Sequence, residues 1–307
     1  MTSNLPAVSV VIPARDAAET LSRALESVES QDYERIVDVV VAAADEITAA
    51  AAHRVKVVMN PTGSTPAGLN LAIAASRGDV IVRCDAHSKL PVSYVSRAVE
   101  TLDRTGAAVV GGMQVPVGES AWERAIAAAM RSPLGAGDAR YRVGGEEGPV
   151  ETVYLGVFRR DVLDALGGFD ESFARTQDYE LNHRVVESGR SVWFDPELEV
   201  EYRPRGGLGA LWGQYFAYGR AKRLFRAKHP GALRWRQLAP PLLVVVLATA
   251  LVVSIWLPIA LVIPVGYAVM LLIAGLTNGS PRSALALATM HVAWGLGFLS
   301  ASRRSAA

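Results

Sequence analysis

The stretch that decides the fold of this chain is Arg77-Gly78-Asp79-Val80-Ile81-Val82-Arg83-Cys84-Asp85-Ala86-His87. Its apolar β-branched run predicts a strand buried on both faces of a parallel sheet. Asp85 and His87 would follow at the carboxyl end of that strand, the edge where open α/β sheets bind ligands. Residues two apart in an extended chain point the same way, so both side chains can reach one cation or phosphate. An Asp that ends a strand is also a common turn former, so the surrounding sequence must decide.

Strand and helix patterns alternate along the first 170 residues. Strands are predicted at 8–12, 36–41, 55–59, 80–84 and 107–112, and helices at 18–28 and 68–75. This alternation predicts an α/β domain whose first half binds a nucleotide. Residues 133–148 are rich in Gly, Arg and Glu without periodicity, which predicts a mobile loop.

The next segment predicts a strand that runs into Gly156, then a helix from about 157 to Leu166. A further helix is predicted from 176 to about Glu187. Asp178 lies in its first turn, where an acid also stabilises the helix dipole. The position alone therefore leaves capping and catalysis open for Asp178.

Charge is distributed unevenly along the chain, although the net charge is only +1. All 30 acidic residues lie at or before Glu201, together with 19 of the 31 basic ones. Nine Lys and Arg residues then occur between Arg203 and Arg236, without an acid, and we call them the basic collar. An acidic body repels polyphosphate backbones, whereas a basic collar beside apolar segments attracts anionic lipid headgroups. The distribution indicates a membrane and excludes nucleic acid as a partner.

Three apolar stretches without carboxylates follow the collar, at 242–256, 259–276 and 284–299. Each is at the short end for a bilayer crossing, and flanking residues extend it. We expect two to three transmembrane helices. Three crossings would place Arg303 and Arg304 opposite the collar, so either the third segment is re-entrant or the collar outweighs them.

The residues before the first apolar run contain no basic segment, so no secretory signal is evident and a cytoplasmic soluble domain is expected. Cys84 is the single cysteine and agrees with a reducing compartment. The expected location is the cell membrane, with several crossings. The expected organisation is a soluble domain at 1–205, a basic amphipathic interfacial region at 206–237 and a membrane region at 238–302.

Several motifs occur together in an order that resembles one family. They are Val8 to Asp16, Asn60-Pro61, Thr65 to Asn70, Arg77 to His87, Leu166 to Glu171, Asp178 to Leu181, Tyr202 to Arg205 and Gln214 to Arg220. This set is similar to family 2 glycosyltransferases with the GT-A fold, in particular to the succinoglycan-type bacterial exopolysaccharide branch. The resemblance covers nearly the whole chain and is far more specific than any single motif. It implies a mostly parallel α/β sheet with flanking helices, followed by an interfacial helix and transmembrane helices.

The resemblance assigns Asp85 to the Asp-x-Asp position of the family, which contacts ribose and a divalent cation. His87 replaces the second acid. Magnesium prefers oxygen ligands and an imidazole suits manganese better, so His87 either binds the metal or donates to the diphosphate. The cofactor implied is Mn²⁺ or Mg²⁺, which would stabilise the leaving diphosphate as a Lewis acid.

The resemblance assigns Asp178 to the general base, with Gln177 in place of the usual Glu. A carboxylate within hydrogen-bond reach can remove the proton of the attacking sugar hydroxyl. A single base implies inversion of configuration, because retention by double displacement needs a second, nucleophilic carboxylate.

The donor, a nucleoside-diphosphate sugar, is expected along the first half of the sheet. Its expected contacts are Pro13, Ala14, Arg15, Asp16, Asp45, Asn70, Asp85 and Ala86. Where relatives have an acidic pair that holds uracil, this chain has Ala42-Ala43-Ala44, so the base must be held by Asp16, Asp45 or backbone groups.

The acceptor is assigned to Gly156, Tyr218 and Arg220. Leu208, Leu211, Trp212 and Tyr215 follow helical spacing, which suits a helix in the membrane interface. A purely lipid-facing role for this helix is an equally open alternative.

The resulting hypothesis is a membrane-anchored inverting glycosyltransferase that acts on a polyprenyl-linked saccharide acceptor at the bilayer, in cell-surface polysaccharide or glycolipid synthesis. Transfer directly to polyprenyl phosphate is one alternative. A non-catalytic glycosyltransferase-like subunit of a membrane complex is another, because fold alone does not establish function.

Overall fold

The structure, a computed structural model, describes residues 5–300 of the 307-residue chain. These residues divide into two compact units. The first contains the chain up to Val115 together with Gly144–Tyr202, and the second contains Pro116–Val143 and the chain from Arg203 onward. The boundary at Tyr202 lies close to the expected end of the soluble domain, but the second unit also takes up the internal segment at 116–143.

The first unit consists of eight strands and six helices among its described residues. The strands are β1 Val8–Ala14, β2 Ile36–Ala43, β3 Lys56–Met59, β4 Val80–Arg83, β5 Val109–Pro116, β6 Gly148–Val150, β7 Tyr154–Arg159 and β8 Val192–Tyr202. The helices are α1 Ala18–Glu29, α2 Glu46–Ala51, α3 Thr65–Ala75, α4 Tyr94–Thr105, α8 Arg160–Leu166 and α9 Gln177–Glu187. Three helices of the intervening segment belong to the second unit: α5 Ala121–Arg131, α6 Pro133–Ala136 and α7 Arg140–Val143.

One sheet contains all eight strands, in the order β3-β2-β1-β4-β7-β5-β8-β6. The first four are parallel, with β1 between β2 and β4. Strand β7 pairs antiparallel with both β4 and β5, and β6 pairs antiparallel with β8. Flanking helices and a parallel first half confirm the α/β fold that the strand and helix alternation predicts.

The parallel strands are buried because their side chains are apolar on both faces. In β4, all four residues are buried, including the charged Arg83. Helix α1 covers the sheet with the apolar face predicted from its spacing, on which Leu21, Leu25 and Val28 are buried. Burial of side chains of this size contributes about 1.5–3 kcal/mol each, which offsets the cost of ordering the chain.

Helix α4 is joined to β8 by an ion pair in the interior. The Asp195 carboxylate is fully buried and accepts from Arg97 Nε at 2.8 Å and from Thr101 Oγ1 at 2.7 Å. Burial alone would raise the pKa of Asp195, but these hydrogen bonds outweigh it and lower that pKa. The pair fixes β8 against α4.

Two local predictions were wrong. The helix expected from residue 157 begins at Arg160, because Val157 and Phe158 continue β7 and pair with β4 and β5. The segment expected to be a mobile loop contains two short helices, α6 Pro133–Ala136 and α7 Arg140–Val143, before β6. Ser132 caps α6 by accepting the Gly135 N–H, and that helix packs against α5.

The second unit is helical in its described part. Its helices are α5 Ala121–Arg131, α6, α7, α10 Leu208–Lys228, α11 Trp235–Val253, α12 Val262–Thr277 and α13 Pro281–Ser300. A 3₁₀ turn, Pro258–Leu261, precedes α12. Within residues 5–300, three helical segments are long and apolar enough to cross a membrane: Trp235–Val253, Pro258–Thr277 and Pro281–Ser300. The prediction of two to three such segments is therefore confirmed at the level of length and composition.

Helix α10 packs along α13 at two glycines. A Cβ on Gly219 would lie 2.1 Å from the carbonyl oxygen of Trp294, and one on Gly297 would lie 2.1 Å from that of Phe216. The two backbones therefore approach as closely as two helices can, which only glycine permits.

Part of the basic collar is engaged within the second unit. Arg203 pairs with Glu119 at 3.0 Å and with Glu123 at 2.9 Å, and Arg236 pairs with Asp138. Lys222 is 4% exposed, with Nζ 5.1 Å from the centre of the Phe225 ring, and burial lowers its pKa. These three residues are less available to lipid headgroups than their sequence position suggests.

Candidate active site

Three carboxylates follow neighbouring parallel strands at one edge of the sheet. Asp16 follows β1, Asp45 follows β2 and Asp85 follows β4, so all three lie at carboxyl ends. Strand β7 runs in the opposite direction, and its first residue, Tyr154, starts at this same edge. The carboxyl ends of these strands therefore meet at one edge, the position at which open α/β sheets bind ligands.

Arg83 brings Asp85 and Asp178 together, although the two acids are far apart in the chain. Its Nε and Nη2 donate to Asp85 Oδ1 at 3.0 and 2.8 Å, and its Nη1 donates to Asp178 Oδ1. The Arg83 side chain is 6% exposed, that of Asp85 is 16% exposed and that of Asp178 is 29% exposed. The two acids predicted to bind the cation and to act as base therefore share one buried guanidinium.

Burial and the neighbouring charges shift the pKa of Arg83 and the pKa of Asp178. Burial alone would lower the pKa of Arg83, but the facing carboxylates of Asp178 and Asp85 outweigh it and raise that pKa. Burial raises the pKa of Asp178; the Arg83 charge opposes this effect and the Asp85 charge adds to it. A carboxyl with a raised pKa accepts a proton more readily, as a general base must.

Asp178 is positioned by an unusual helix start. It occupies the second residue of α9, after the N-cap Thr176, whose φ of 62° is in the left-handed region. A β-branched residue adopts this conformation at a cost of order 1–3 kcal/mol. Asp16, with φ of 51°, and Leu155, with φ of 44°, are the other such non-glycine residues in the described chain, and both lie near the same edge.

The loop after β1 is held by the start of α2. Asp45 caps α2: it accepts the Thr48 N–H at 2.8 Å and the Asp16 N–H at 3.1 Å, which lowers its pKa. The hydroxyl of Thr48 also accepts the Ala17 N–H at 3.2 Å. The Asp45 carboxylate thus fixes the shape of the loop, while the side chains of Arg15 and Asp16 are 64% and 86% exposed. Pro13 and Ala14 are the last residues of β1, beneath that loop.

Asn70 lies on α3 and holds the turn after α8. Its Oδ1 accepts the Phe169 N–H at 2.9 Å, and its Nδ2 donates to the Phe169 carbonyl at 2.8 Å and to Glu171 Oε1 at 3.0 Å. Both ends of the amide are engaged by this turn. The structure therefore gives Asn70 an architectural role beside its predicted contact with the donor.

The side chains after β4 fit a divalent cation. Asp85 uses Oδ1 for Arg83, and among residues 5–300 its Oδ2 accepts no hydrogen bond. The His87 side chain is exposed in the turn that follows, and Ala86 between them is buried. A carboxylate oxygen and an accessible imidazole are the donor types that suit Mn²⁺.

Gly156 lies inside β7, in the interior of the sheet. A Cβ at this position would lie 2.6 Å from the Phe158 ring and 3.2 Å from Val109 Cγ1. Packing alone accounts for a glycine here. Its predicted contact with the acceptor has no support from this position.

The other predicted acceptor residues lie on α10, in the second unit. The Tyr218 ring stacks edge-on with Tyr215 and Trp294 at centroid distances of 5.6 and 6.2 Å, and its hydroxyl accepts from Gln214 Nε2 at 3.2 Å. Arg220 is exposed. The aromatic contacts fix the Tyr218 ring on the helix surface.

Arg83 is the site residue that the sequence reasoning did not assign. The available signal was a charged residue at the end of a buried apolar strand, two positions before Asp85 and thus on the same face of the strand. A buried arginine requires anionic partners, so its position indicates a site with at least one further acid.

Comparisons with known proteins identify the family of this chain. The family model for glycosyl transferase family 2 matches residues 9–167, which contain β1 to β4 and the Asp85 edge. The succinoglycan biosynthesis protein ExoA of Rhizobium meliloti is 34% identical over 258 residues, which cover 80% of this chain and 77% of ExoA.

Two further comparisons extend the similarity. A Methanococcus voltae dolichyl N-acetyl-alpha-D-glucosaminyl phosphate 3-beta-D-2,3-diacetamido-2,3-dideoxy-beta-D-glucuronosyltransferase is 21% identical over 250 residues, covering 74% of this chain and 76% of that protein. The solved structure of the mannosyltransferase PcManGT from Pyrobaculum calidifontis, in complex with GDP-Man and Mn²⁺, covers 94% of this chain and 88% of its own, with a TM-score of 0.65 and 18% identity. It shows that the fold is shared. The protein is a glycosyltransferase that belongs to family 2 and has the GT-A fold.

Proposed function

We propose that this protein is a membrane-anchored inverting glycosyltransferase that moves a sugar from a nucleoside-diphosphate donor to a polyprenyl-linked saccharide. The observation that carries the proposal is the contact of one buried arginine with both Asp85 and Asp178. It joins a carboxylate at the donor edge to a carboxylate suited to act as base. The product would belong to cell-surface polysaccharide or glycolipid synthesis, as the name of the ExoA relative suggests.

Asp178 acts as the general base in this reaction. A sugar hydroxyl is a weak nucleophile until its proton is removed, and a carboxylate with a raised pKa is suited to take that proton. Attack by the freed oxygen on the anomeric carbon, from the face opposite the leaving diphosphate, inverts the configuration.

Asp85 and His87 hold the donor end of the reaction. They would bind a divalent cation, which supplies positive charge to the diphosphate as it leaves. Asp16 and Arg15, exposed on the loop after β1, lie at the same edge and contact the nucleotide. Because Ala42 and Ala43 are buried and offer no acid, the selectivity for the base depends on this loop.

The acceptor is a lipid because the second unit combines three apolar helices with basic residues. Arg220 is exposed on α10 and can attract a phosphate, and Tyr218, two residues earlier in the same helix, lies on a fixed aromatic surface. The Methanococcus voltae relative is named for a dolichyl-phosphate-linked sugar acceptor, which supports the same class here. The basic collar favours a catalytic unit on the cytoplasmic face, because Lys and Arg next to membrane helices are more frequent on that side.

The test is a transfer assay on the full chain in detergent, with a panel of nucleotide sugars, Mn²⁺ or Mg²⁺, and two acceptors. We expect transfer to a polyprenyl-diphosphate-linked sugar with inverted anomeric configuration, and loss of transfer with a chelator. Efficient transfer to bare polyprenyl phosphate instead would make that lipid the acceptor. Retained configuration would exclude a single-displacement reaction with Asp178 as base.

Asp178→Asn should reduce turnover at least a hundredfold and leave donor binding nearly unchanged, because the amide cannot accept the proton. The matched control is Asp161→Asn, which removes an exposed acid from the first turn of α8 and so changes only a helix dipole interaction. Turnover above about a tenth of the native rate in Asp178→Asn would rule out the base assignment.

A further inference from the structure

Arg83 is the only charged residue in the four-residue strand β4, and all three of its neighbours in that strand are apolar. It pairs in register with Val11 of β1, in the middle of the sheet. Three of its five N–H donors are accounted for by two carboxylates, two on Asp85 and one on Asp178. Among residues 5–300, the Arg83 guanidinium donates to no backbone carbonyl, so its hydrogen bonds serve the two acids.

A permanent charge in this position is costly unless it is paired. Removing a guanidinium from water costs several kcal/mol, and opposite charges must compensate for it. The reverse also holds, because two carboxylates held close together without a cation cannot both remain ionised. Arg83 therefore compensates the repulsion between two carboxylates that are proposed to bind a cation and a proton, Asp85 and Asp178.

The shape of the side chain matters as much as its charge. The planar fork of an arginine fixes the direction of each N–H bond, whereas a lysine ammonium is a point charge with no fixed direction. Through this fork, the orientation of Asp178 is set by the position of Asp85. The base and the donor edge are thus oriented relative to each other before substrates arrive.

We propose that Arg83 is a positioning residue that holds Asp85 and Asp178 in fixed relative orientation on one guanidinium. The proposal rests on the proposed function, in which Asp178 is the base and Asp85 faces the donor. It adds that the guanidinium of Arg83, a cation separate from any bound metal, links the base Asp178 to the donor edge at Asp85.

This arrangement has a consequence that distinguishes positioning from mere support of the fold. Arg83 lies on the same carboxylate that would bind a divalent cation, so its positive charge opposes metal binding at Asp85. Removing it should leave Mn²⁺ affinity equal or higher while turnover falls. A residue that only stabilised the fold would lower both together.

The experiment compares Arg83→Met and Arg83→Lys with the native full chain in detergent. Thermal unfolding establishes that each variant is folded, Mn²⁺ binding is followed by the loss of the free-ion electron paramagnetic resonance signal, and kcat and KM are measured with the best donor. For Arg83→Met we expect Mn²⁺ affinity unchanged or several-fold tighter, kcat at least a hundredfold lower and donor KM within about tenfold. Arg83→Lys should recover less than a tenth of the lost kcat, because one ammonium cannot orient both acids.

The matched control is Arg160→Met. Arg160 is also partly buried in the first unit, but it donates to the backbone carbonyls of Gly78 and Ile73 and to Ser76 Oγ, away from the donor edge. Its loss should lower thermal stability and leave Mn²⁺ affinity and the kinetic constants near native values.

Two results would overturn the proposal: a kcat of Arg83→Met within threefold of native, or Mn²⁺ affinity that falls in proportion to kcat. The Asp178→Asn variant separates this failure from failure of the proposed function. If Asp178→Asn is active, the base assignment fails whatever Arg83 does. If Asp178→Asn is inactive and Arg83→Met is active, the base stands and the positioning role is wrong.

Discussion

Asp178 is the residue whose protonation controls the proposed reaction. Burial raises its pKa, and the guanidinium of Arg83 limits that rise. The carboxylate must be ionised to accept a proton. Because the pKa of Asp178 is raised, activity should be lost at a higher pH than it would be with an aspartate of ordinary pKa. The same burial that makes Asp178 a better proton acceptor narrows the pH range in which it works.

We therefore expect turnover to fall as pH decreases through the raised pKa of Asp178, clearly above the usual range for aspartate. In Arg83→Met, this acidic limb, the fall of the rate towards low pH, should lie at still higher pH. The Arg83 charge that opposes the rise in the pKa of Asp178 is then gone. Rates measured from pH 4 to 9 would show the limb, and thermal unfolding at each pH would separate it from acid denaturation. An acidic limb at or below the ordinary aspartate pKa would contradict the assignment.

His87 decides the metal preference if it is a ligand. We expect His87→Asp to increase activity with Mg²⁺ relative to Mn²⁺, because magnesium favours oxygen ligands. The matched control is His53→Asp, at an exposed histidine between α2 and β3. An unchanged ratio of Mg²⁺-supported to Mn²⁺-supported rates in His87→Asp would show that the imidazole does not bind the metal.

At the level of elements, the contact of α10 with α13 depends on glycine. Both Gly219 and Gly297 bring a backbone carbonyl of the facing helix to a distance at which no Cβ fits. Van der Waals contact between backbones is the main source of helix association where lipid surrounds the helices. The predicted interfacial helix therefore packs closely against an apolar helix of its own unit.

Gly219→Ala should destabilise the second unit by about 1–3 kcal/mol, because the new Cβ would meet the Trp294 carbonyl. The control is Gly213→Ala in the same helix, where a Cβ meets no atom within 4 Å and higher helix propensity should raise stability by up to about 1 kcal/mol. Thermal unfolding in detergent measures both variants. Equal midpoints would contradict the close contact of the two helices.

At the level of the whole molecule, α13 differs from the other two apolar helices. Half of its apolar window, 50%, is buried, against 17% in each of the other two segments. It contacts α5, α10, α11 and α12. The His291 ring on α13 forms hydrogen bonds with the Tyr267 hydroxyl and the Leu134 carbonyl. A helix surrounded by protein on so many sides does not need lipid to cover it. This burial favours the re-entrant alternative for the third segment, with Arg303 and Arg304 outside the described residues.

We expect α11 and α12 to cross the membrane as a hairpin and α13 to remain on the side of the basic collar. One cysteine at a time is introduced at an exposed position, in Ala227→Cys, Trp256→Cys, Thr277→Cys or Ser300→Cys. Reaction with an impermeant maleimide in right-side-out and inverted vesicles then shows on which side of the membrane each position lies. Only Trp256→Cys should react from the outer face. The native chain is the control, because its single cysteine, Cys84, is buried. Reaction of Ser300→Cys from the outer face would instead establish three crossings.

Short-range patterns in the sequence were sufficient for the parallel half of the sheet and for the apolar helices. An unbroken β-branched run determines a buried strand, and a long apolar run determines a membrane helix, because periodicity and length are local properties. The carboxyl ends of β1, β2 and β4 therefore placed Asp16, Asp45 and Asp85 at one edge. Strand β8, with its alternating buried and exposed residues, carried the same kind of signal.

Only the tertiary structure decided which distant residues meet. Arg83 joins Asp85 to Asp178 across 95 residues, Asn70 holds a turn about 100 residues away, and Lys222 is buried although it lies in a basic run. The packing of whole elements determines these contacts, and no local period encodes it. The sequence by itself thus determined the family, the shared edge of the parallel strands and the apolar helices. The fold alone determined that one buried guanidinium serves both acids, since a buried charge is stable only where packing brings its partners to it.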